Sequence, residues 1–392
     1  MANGNFGGGD GTASNPYLVE DAEDLHNVRN NLSAHYKQIK NINMRNWGNW
    51  EPIGDEYNYI AFTGTYDGNG RELSNLKIVS PDRDGVGLFA YAENPIFKNI
   101  NVSNAEITGG SNVGGILGSA DGATIQNCTV SGKITGVGSK VGGILGFCYN
   151  YEGMIDILKC DAKANITCAY VGGGIVGAFY GGTQGFRLSQ CIFIGNITGN
   201  PEDLPHTIGG IIGDASDRGA ISDCYAKVNL RASEGCGGIA GDSQAVISRC
   251  VATGSVSSIS DCAGIIGLAR DIAATFDSYA LLDSVTALPG PRWPPDYDDY
   301  FGDITGEDYY NSYISDAYSL ITMENRNLIT IRGLPITEED AKKKSHYIDR
   351  GFDFENVWDI REGKSYPFLR RDKTKSRTKC ERIAINKLLG GY

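Results

Sequence analysis

Apolar residues in the middle of this chain come in six-residue blocks that close on glycine. The block at 113–118 reads Val-Gly-Gly-Ile-Leu-Gly, and close copies stand at 141–146, 172–177, 208–213, 236–241 and 262–267. A looser version, Val86-Gly87-Leu88-Phe89-Ala90, precedes them. The closing glycines, Gly118, Gly146, Gly177, Gly213, Gly241 and Gly267, lie 26 to 36 residues apart. Self-similarity at this period marks a solenoid, in which one repeat cannot bury its apolar face without the next.

A second string keeps step with the first: Ile125-Gln126-Asn127-Cys128, Ile157-Leu158-Lys159-Cys160, Leu188-Ser189-Gln190-Cys191, Ile221-Ser222-Asp223-Cys224 and Ile247-Ser248-Arg249-Cys250. Phe97 to Ile100 and Phe276 to Tyr279 take the same slot at either end. After each cysteine, apolar or small residues fall at every second position, as in Cys224, Ala226, Val228 and Leu230. Period two predicts strands. No intervening segment has the length and period of a crossover helix, so the fold class is all-β, a single-stranded parallel β-helix. Seven recognisable coils stacked at ~4.8 Å predict a rod of roughly 35 Å. The six block isoleucines, Ile116, Ile144, Ile175, Ile211, Ile239 and Ile265, are expected in its core, with the paired glycines allowing close stacking.

Outside the repeats (81–287), residues 1–80 read as an N-terminal cap and the first coils. A short strand is expected at 17–20, Asp21 caps a helix carrying Ala22, Leu25, Val28, Arg29 and Leu32, and further strands are expected at 36–42, 60–65 and 72–79. An open coil end is an unpaired edge, which such a helix covers. At 288–346 the repeat disappears into an acidic, aromatic segment expected to pack along the rod's flank, with a short helix starting near Thr337. Residues 347–392 form an irregular closure ending in a basic tail.

The coils differ mainly in their loops. Tyr149 and Tyr151 follow one glycine block, and Phe179, Tyr180 and Phe186 follow the next, so these five aromatics are expected side by side as a ligand-binding strip for sugar faces. On later coils Asp214, Asp217, Asp242 and Asp271 leave the same corner. Stacked carboxylates suit glycoside acid/base chemistry, whereas corner acids chosen for turns and solubility are the plainer reading, and the one favoured here. Asp67 is read as a turn carboxylate. His26, His35, His206 and His346 are scattered, and no G-x-S-x-G, HExxH or P-loop occurs.

Charge narrows the partners: with a net charge of −12 and a pI near 4.9, nucleic acid is excluded as the main one. No run of eighteen apolar residues occurs and the first residues are neither charged nor apolar as a signal requires, so neither membrane insertion nor a secretion signal is expected. Of ten cysteines, five share one repeat slot, and Cys236 and Cys262 replace Val113, Val141 and Ile208. They are expected as a buried ladder of reduced thiols, not as metal ligands, since no C-x-x-C pair occurs. Neither a metal nor a cofactor is expected.

The order Gly-Thr-Ala-Ser-Asn-Pro-Tyr at 11–17, Trp-Glu-Pro-Ile-Gly at 50–54, Phe-Thr-Gly-Thr-Tyr-Asp-Gly-Asn-Gly at 62–70, then repeated blocks with I-x-N-C, resembles bacterial and phage proteins carrying GLUG repeats. The likeness resumes at 352–369. It implies a right-handed β-helix similar to the pectate-lyase type, used as a scaffold in adhesins, protease-associated surface proteins and virion proteins. The Gly-His-Gly and Arg-Ile-Lys strings of polygalacturonase-like enzymes are absent. The sequence reading is therefore a non-enzymatic attachment protein, of a phage virion or tail, binding a host surface polysaccharide or receptor. Its C-terminal region would meet other virion or surface proteins, with monomer and homotrimer both open. The alternatives are a cell-surface or secreted adhesin, and a polysaccharide hydrolase or lyase using the acidic column.

Overall fold

The computed structural model describes residues 6–149, 153–181, 185–199, 207–216, 218–270, 273–289, 301–308, 313–320, 322–326 and 333–371. The chain is an all-β parallel solenoid built on four sheets of 7, 8, 11 and 13 strands, taken in the order one coil visits them. Val113–Gly114 lies in the first sheet, Leu117–Asp121 in the second, Ala123–Gln126 in the third and Thr129–Gly136 in the fourth. Each pairs in parallel with its counterpart one coil on, as in Val113 with Val141, Leu117 with Leu145, Ala123 with Ile155 and Thr129 with Asp161.

The corners explain the motifs. Between the third and fourth sheets the chain turns on one residue in the left-handed region, at φ of 53° for Asn127, 56° for Lys159, 55° for Gln190, 53° for Asp223 and 49° for Arg249. Asn and Asp enter this region at least cost, which suits Asn127 and Asp223, while Lys159, Gln190 and Arg249 adopt it against their preference. The second glycine of each block is dictated by stacking: a Cβ on Gly174 would lie 2.1 Å from the Gly210 carbonyl oxygen of the next coil. All six block isoleucines are fully buried, as expected.

The nine described cysteines are free and buried. Cys128, Cys160, Cys191, Cys224 and Cys250 form the expected ladder, each thiol directed at the carbonyl two residues earlier, 3.3 to 3.5 Å away. Its C-terminal neighbour differs from the sequence reading. Val251 pairs with Tyr279, so Ser278, not Tyr279, continues the cysteine slot, and its hydroxyl accepts the Cys250 amide at 3.2 Å.

The N-terminal end joins the solenoid as expected, and the C-terminal end joins it more fully than the sequence suggested. Tyr17–Val19, His35–Gln38 and Thr65–Asp67 already lie in the third sheet, so coils begin inside the cap region 1–80. The helix is short, Ala22–Asn27, capped by Asp21 through the Glu23 and Asp24 amides and followed by a 3-10 turn. At the other end the described strands of segment 288–346 do not pack on a flank: Phe301–Gly302, Thr305–Asp308, Tyr313–Ser315 and Tyr318–Leu320 add one strand to each of the four sheets. Phe-Gly-Asp-Ile-Thr-Gly at 301–306 is a degenerate block, with Phe301 paired to Cys262 and Thr305 to Ile266. Pro291, Trp293, Pro294 and Pro295 of that segment and the basic tail beyond residue 371 lie outside the described residues.

What does run along the flank is the closure, a strap over residues 346–371. Tyr279 stacks on Tyr318 with centroids 4.9 Å apart, and Tyr347 and Phe352 pack on Tyr279 at 4.6 and 5.6 Å. Buried Trp358 lies 4.9 Å from Phe352 and donates its indole N–H to Asp223 at 3.2 Å. Arg371 then pairs with Asp161 and donates to the Gln190 carbonyl at 3.0 Å. The strap therefore runs back from the last coil to that of Asp161.

Candidate outer-face binding site

Strands of the second sheet turn one register column away from the core: Tyr91, Ser119, Phe147, Ala178, Asp214, Asp242 and Leu268. Two positions on, Glu93, Asp121, Tyr149 and Tyr180 form a parallel column. Phe147, Ala178 and Val171 make an apolar cluster separate from the main core, with Tyr180 against it. Phe147 meets Tyr149 at 4.4 Å and Tyr180 at 5.3 Å. The Lys140 ammonium lies 3.9 Å from the Phe147 centroid and 5.0 Å from that of Tyr180, a cation seated on two rings.

The structure brings two of the five aromatics of the expected strip together. Tyr149 and Tyr180 are register partners on adjacent coils, as the loop positions implied, and Tyr149 is 43% exposed. Phe179 and Phe186 are only 1% and 4% exposed and pack on each other at 4.5 Å inside the main core. Phe179 alternates with Tyr180 along one strand, so the pleat that shows one ring to solvent buries the other. Tyr151 lies outside the described residues.

The acidic column also changes character. Asp214 and Asp242 are not exposed corner acids but strand residues 8% and 2% exposed. Asp214 accepts the Tyr180 hydroxyl at 2.9 Å and the Ser216 hydroxyl. Asp242 accepts Arg270 through Nε at 2.7 and 2.9 Å. Burial pushes the Asp242 carboxyl up to about 6, against the Arg270 bonds and with help from the Asp214 charge. Burial likewise raises Asp214, opposed by Ser216 and Tyr180, and lowers Lys140, opposed by Glu56 and Asp214. Asp217 and Asp271 lie outside the described residues. Two carboxylates stacked in register stand at a spacing compatible with acid/base work, roughly 5 Å, yet Tyr180, Ser216 and Arg270 already engage their oxygens. Asp67 is the turn carboxylate expected, accepting the Asn69 amide at 2.8 Å and the Asn99 side chain at 2.9 Å.

Sequence reasoning missed Lys140, Arg270, Tyr91 and the loop tyrosines Tyr57 and Tyr59. Tyr91 was accessible, since aligning the looser block at 86–90 with its successors sets it opposite Ser119 and Phe147. Tyr57 and Tyr59 lie outside any repeat slot, and only the folded chain sets Tyr59 beside Tyr91. Among the described residues no group of three or more His, Cys, Asp or Glu could hold a metal, and no helix is long and apolar enough to cross a membrane.

Comparison with known proteins finds short regions of similarity. A protein provisionally named a Gly-rich membrane protein, from Evansella cellulosilytica, is 37% identical over 111 residues, 26% of this chain and 13% of that protein. Halomucin of Haloquadratum walsbyi is 35% identical over 126 residues, 29% of this chain and 1% of its own length. The chain thus spans a small part of either relative. A solved structure provisionally described as an immunoglobulin A1 protease from Bacteroides ovatus matches with a TM-score of 0.49 at 18% identity, covering 93% of this chain and 95% of the other. Another, an IgA1 protease, matches at 0.45 and 14% identity, covering 94% and 26%. Neither likeness bears on what this chain does. The family model described as the GLUG motif matches residues 109–135, the coil with Val-Gly-Gly-Ile-Leu-Gly at its start, so the chain carries a GLUG motif on a parallel β-solenoid.

Proposed function

We propose that the chain is an adhesin-like module of a cell-surface or extracellular protein that binds polysaccharide on the outer face of its second sheet. The observation that carries this is the register pairing of Tyr149 with Tyr180, which sets two tyrosines one coil apart beside Phe147 and Lys140. Rings repeated at ~4.8 Å along a rod, with carboxylates and hydroxyls between them, offer faces for pyranose stacking and polar groups for their hydroxyls. The surface location is supported by a relative named as a membrane protein. Nothing in the relatives' names supports the virion placement expected from the sequence.

Affinity electrophoresis of the full chain through gels containing soluble cell-wall or capsular polysaccharides tests the reading. Retardation by at least one polysaccharide, weakened about tenfold by Tyr149→Ala, is the expected result, a ring stack being worth about 1–1.5 kcal/mol. Retardation by none, or equal retardation of the variant, refutes it. The stacked pair Asp214 and Asp242, with Asp242 raised to about 6, favours one rival, polysaccharide cleavage. Release of reducing ends that stops on Asp242→Asn would establish that rival instead.

A further inference from the structure

We propose that Tyr59, Tyr91, Glu93 and Asp121 form a binding site for an organic ammonium group. The rings of Tyr59 and Tyr91 are 6.4 Å apart with planes at 84°. At those dimensions one cation can lie ~4.5 Å from both centroids, inside the range of a cation–π contact. The second sheet shows the same device in occupied form: Phe147 and Tyr180, 5.3 Å apart at 74°, share the Lys140 ammonium. Among the described residues no lysine or arginine lies over Tyr59 or Tyr91.

Carboxylates surround it. Glu93 accepts the Tyr91 hydroxyl at 3.0 Å, which fixes that ring, and Glu93 stands in register opposite Asp121. The Tyr59 wall is held in place before any ligand arrives. Asp55 and Ile60 exchange backbone bonds of 2.8 Å, and the Asp55 carboxylate accepts the Asn58 amide at 3.1 Å. Between them Tyr59 is held at φ of 55°, a conformation a bulky residue seldom adopts. Tyr59 is 79% exposed and Tyr57, two residues earlier, 91%, so the site opens to solvent.

Trimethylammonium headgroups and protonated amino sugars share this chemistry, and calorimetric titration of the full chain with choline, glucosamine, N-acetylglucosamine and 3,3-dimethylbutan-1-ol separates them. Choline or glucosamine should bind, whichever is tighter identifying the source. N-acetylglucosamine and the uncharged choline isostere 3,3-dimethylbutan-1-ol should bind at least about threefold more weakly, and Tyr59→Ala or Glu93→Gln should each weaken the cation by about threefold or more. Equal binding of the charged and uncharged probes, no binding of either cation, or variants that bind as the parent would overturn the site. This titration reads the heat of a small cation and the gel assay the retardation by a polysaccharide, so failure here and failure of the polysaccharide reading are told apart.

Discussion

Two exterior faces of the rod bury side chains that point away from its core, and they do so by opposite means. On the fourth sheet Ile192, Tyr225, Val251, Tyr279 and Tyr318 share one register, and the strap closes over the later coils. At the same register Asn101, Thr129 and Asp161 of earlier coils are polar and half-exposed. On the second sheet the buried column mixes Phe147 and Ala178 with Asp214 and Asp242, covered by near neighbours such as Lys140, Val171 and Arg270. An apolar ladder is buried by recruiting another part of the chain, whereas a polar column is buried by satisfying itself locally. The first kind of face is closed to ligands, and the second still presents rings at its rim.

Variants can break this contrast. The largest effect is expected from Trp358→Ala, since the ring is fully buried between strap and rod. A loss of about 3–5 kcal/mol in urea unfolding is expected, and a loss below ~1 kcal/mol would mean that the strap is not part of the cooperative fold. Asp161→Asn removes the charged partner of Arg371 and should cost about 2 kcal/mol. It should also let a protease cut the strap at concentrations that leave the parent intact, and an unchanged digestion pattern would count against the anchor.

On the polar face the lever is pH. Asp242 holds its proton more tightly folded than unfolded, with its carboxyl at about 6 against an ordinary 3.8. Over that window the native state keeps the extra proton, so stability falls as pH rises from ~4 to ~6, by on the order of 2 kcal/mol. Unfolding midpoints in a pH series should show this slope, flattened in Asp242→Asn. A parent that grows more stable across the window would show that the Arg270 pairing outweighs burial. Smallest of all, Tyr149→Ala should move stability by no more than about 0.5 kcal/mol, because its ring is at the rim. A larger loss would make that ring structural rather than a binding group.

The repeat was legible because stacking imposes one residue type per slot: glycine where the next coil's carbonyl approaches, isoleucine in the core, cysteine in the thiol ladder. The added coil at 301–320 escaped notice since Phe301, Asp303 and Thr305 disguise the block, although Gly306 and the string Ile314-Ser315-Asp316 keep its outline. Among site residues, loop position alone was enough to align Tyr149 with Tyr180. It could not tell that Phe179 and Phe186 turn inward, because the facing of a strand residue depends on where its pleat starts, and the glycine corner resets that start.

By itself, then, the sequence determined the solenoid, the contents of its core and the reduced cysteine ladder, since each follows from a pattern repeated at fixed spacing. Only the tertiary structure decided which outward columns are covered. Burial of Asp214 and Asp242, the docking of Trp358 on Asp223 and the meeting of Tyr59 with Tyr91 all join residues from different coils or from outside the repeat. Contacts of that kind arise when coils stack and the closing segment folds back, and no local spacing encodes them.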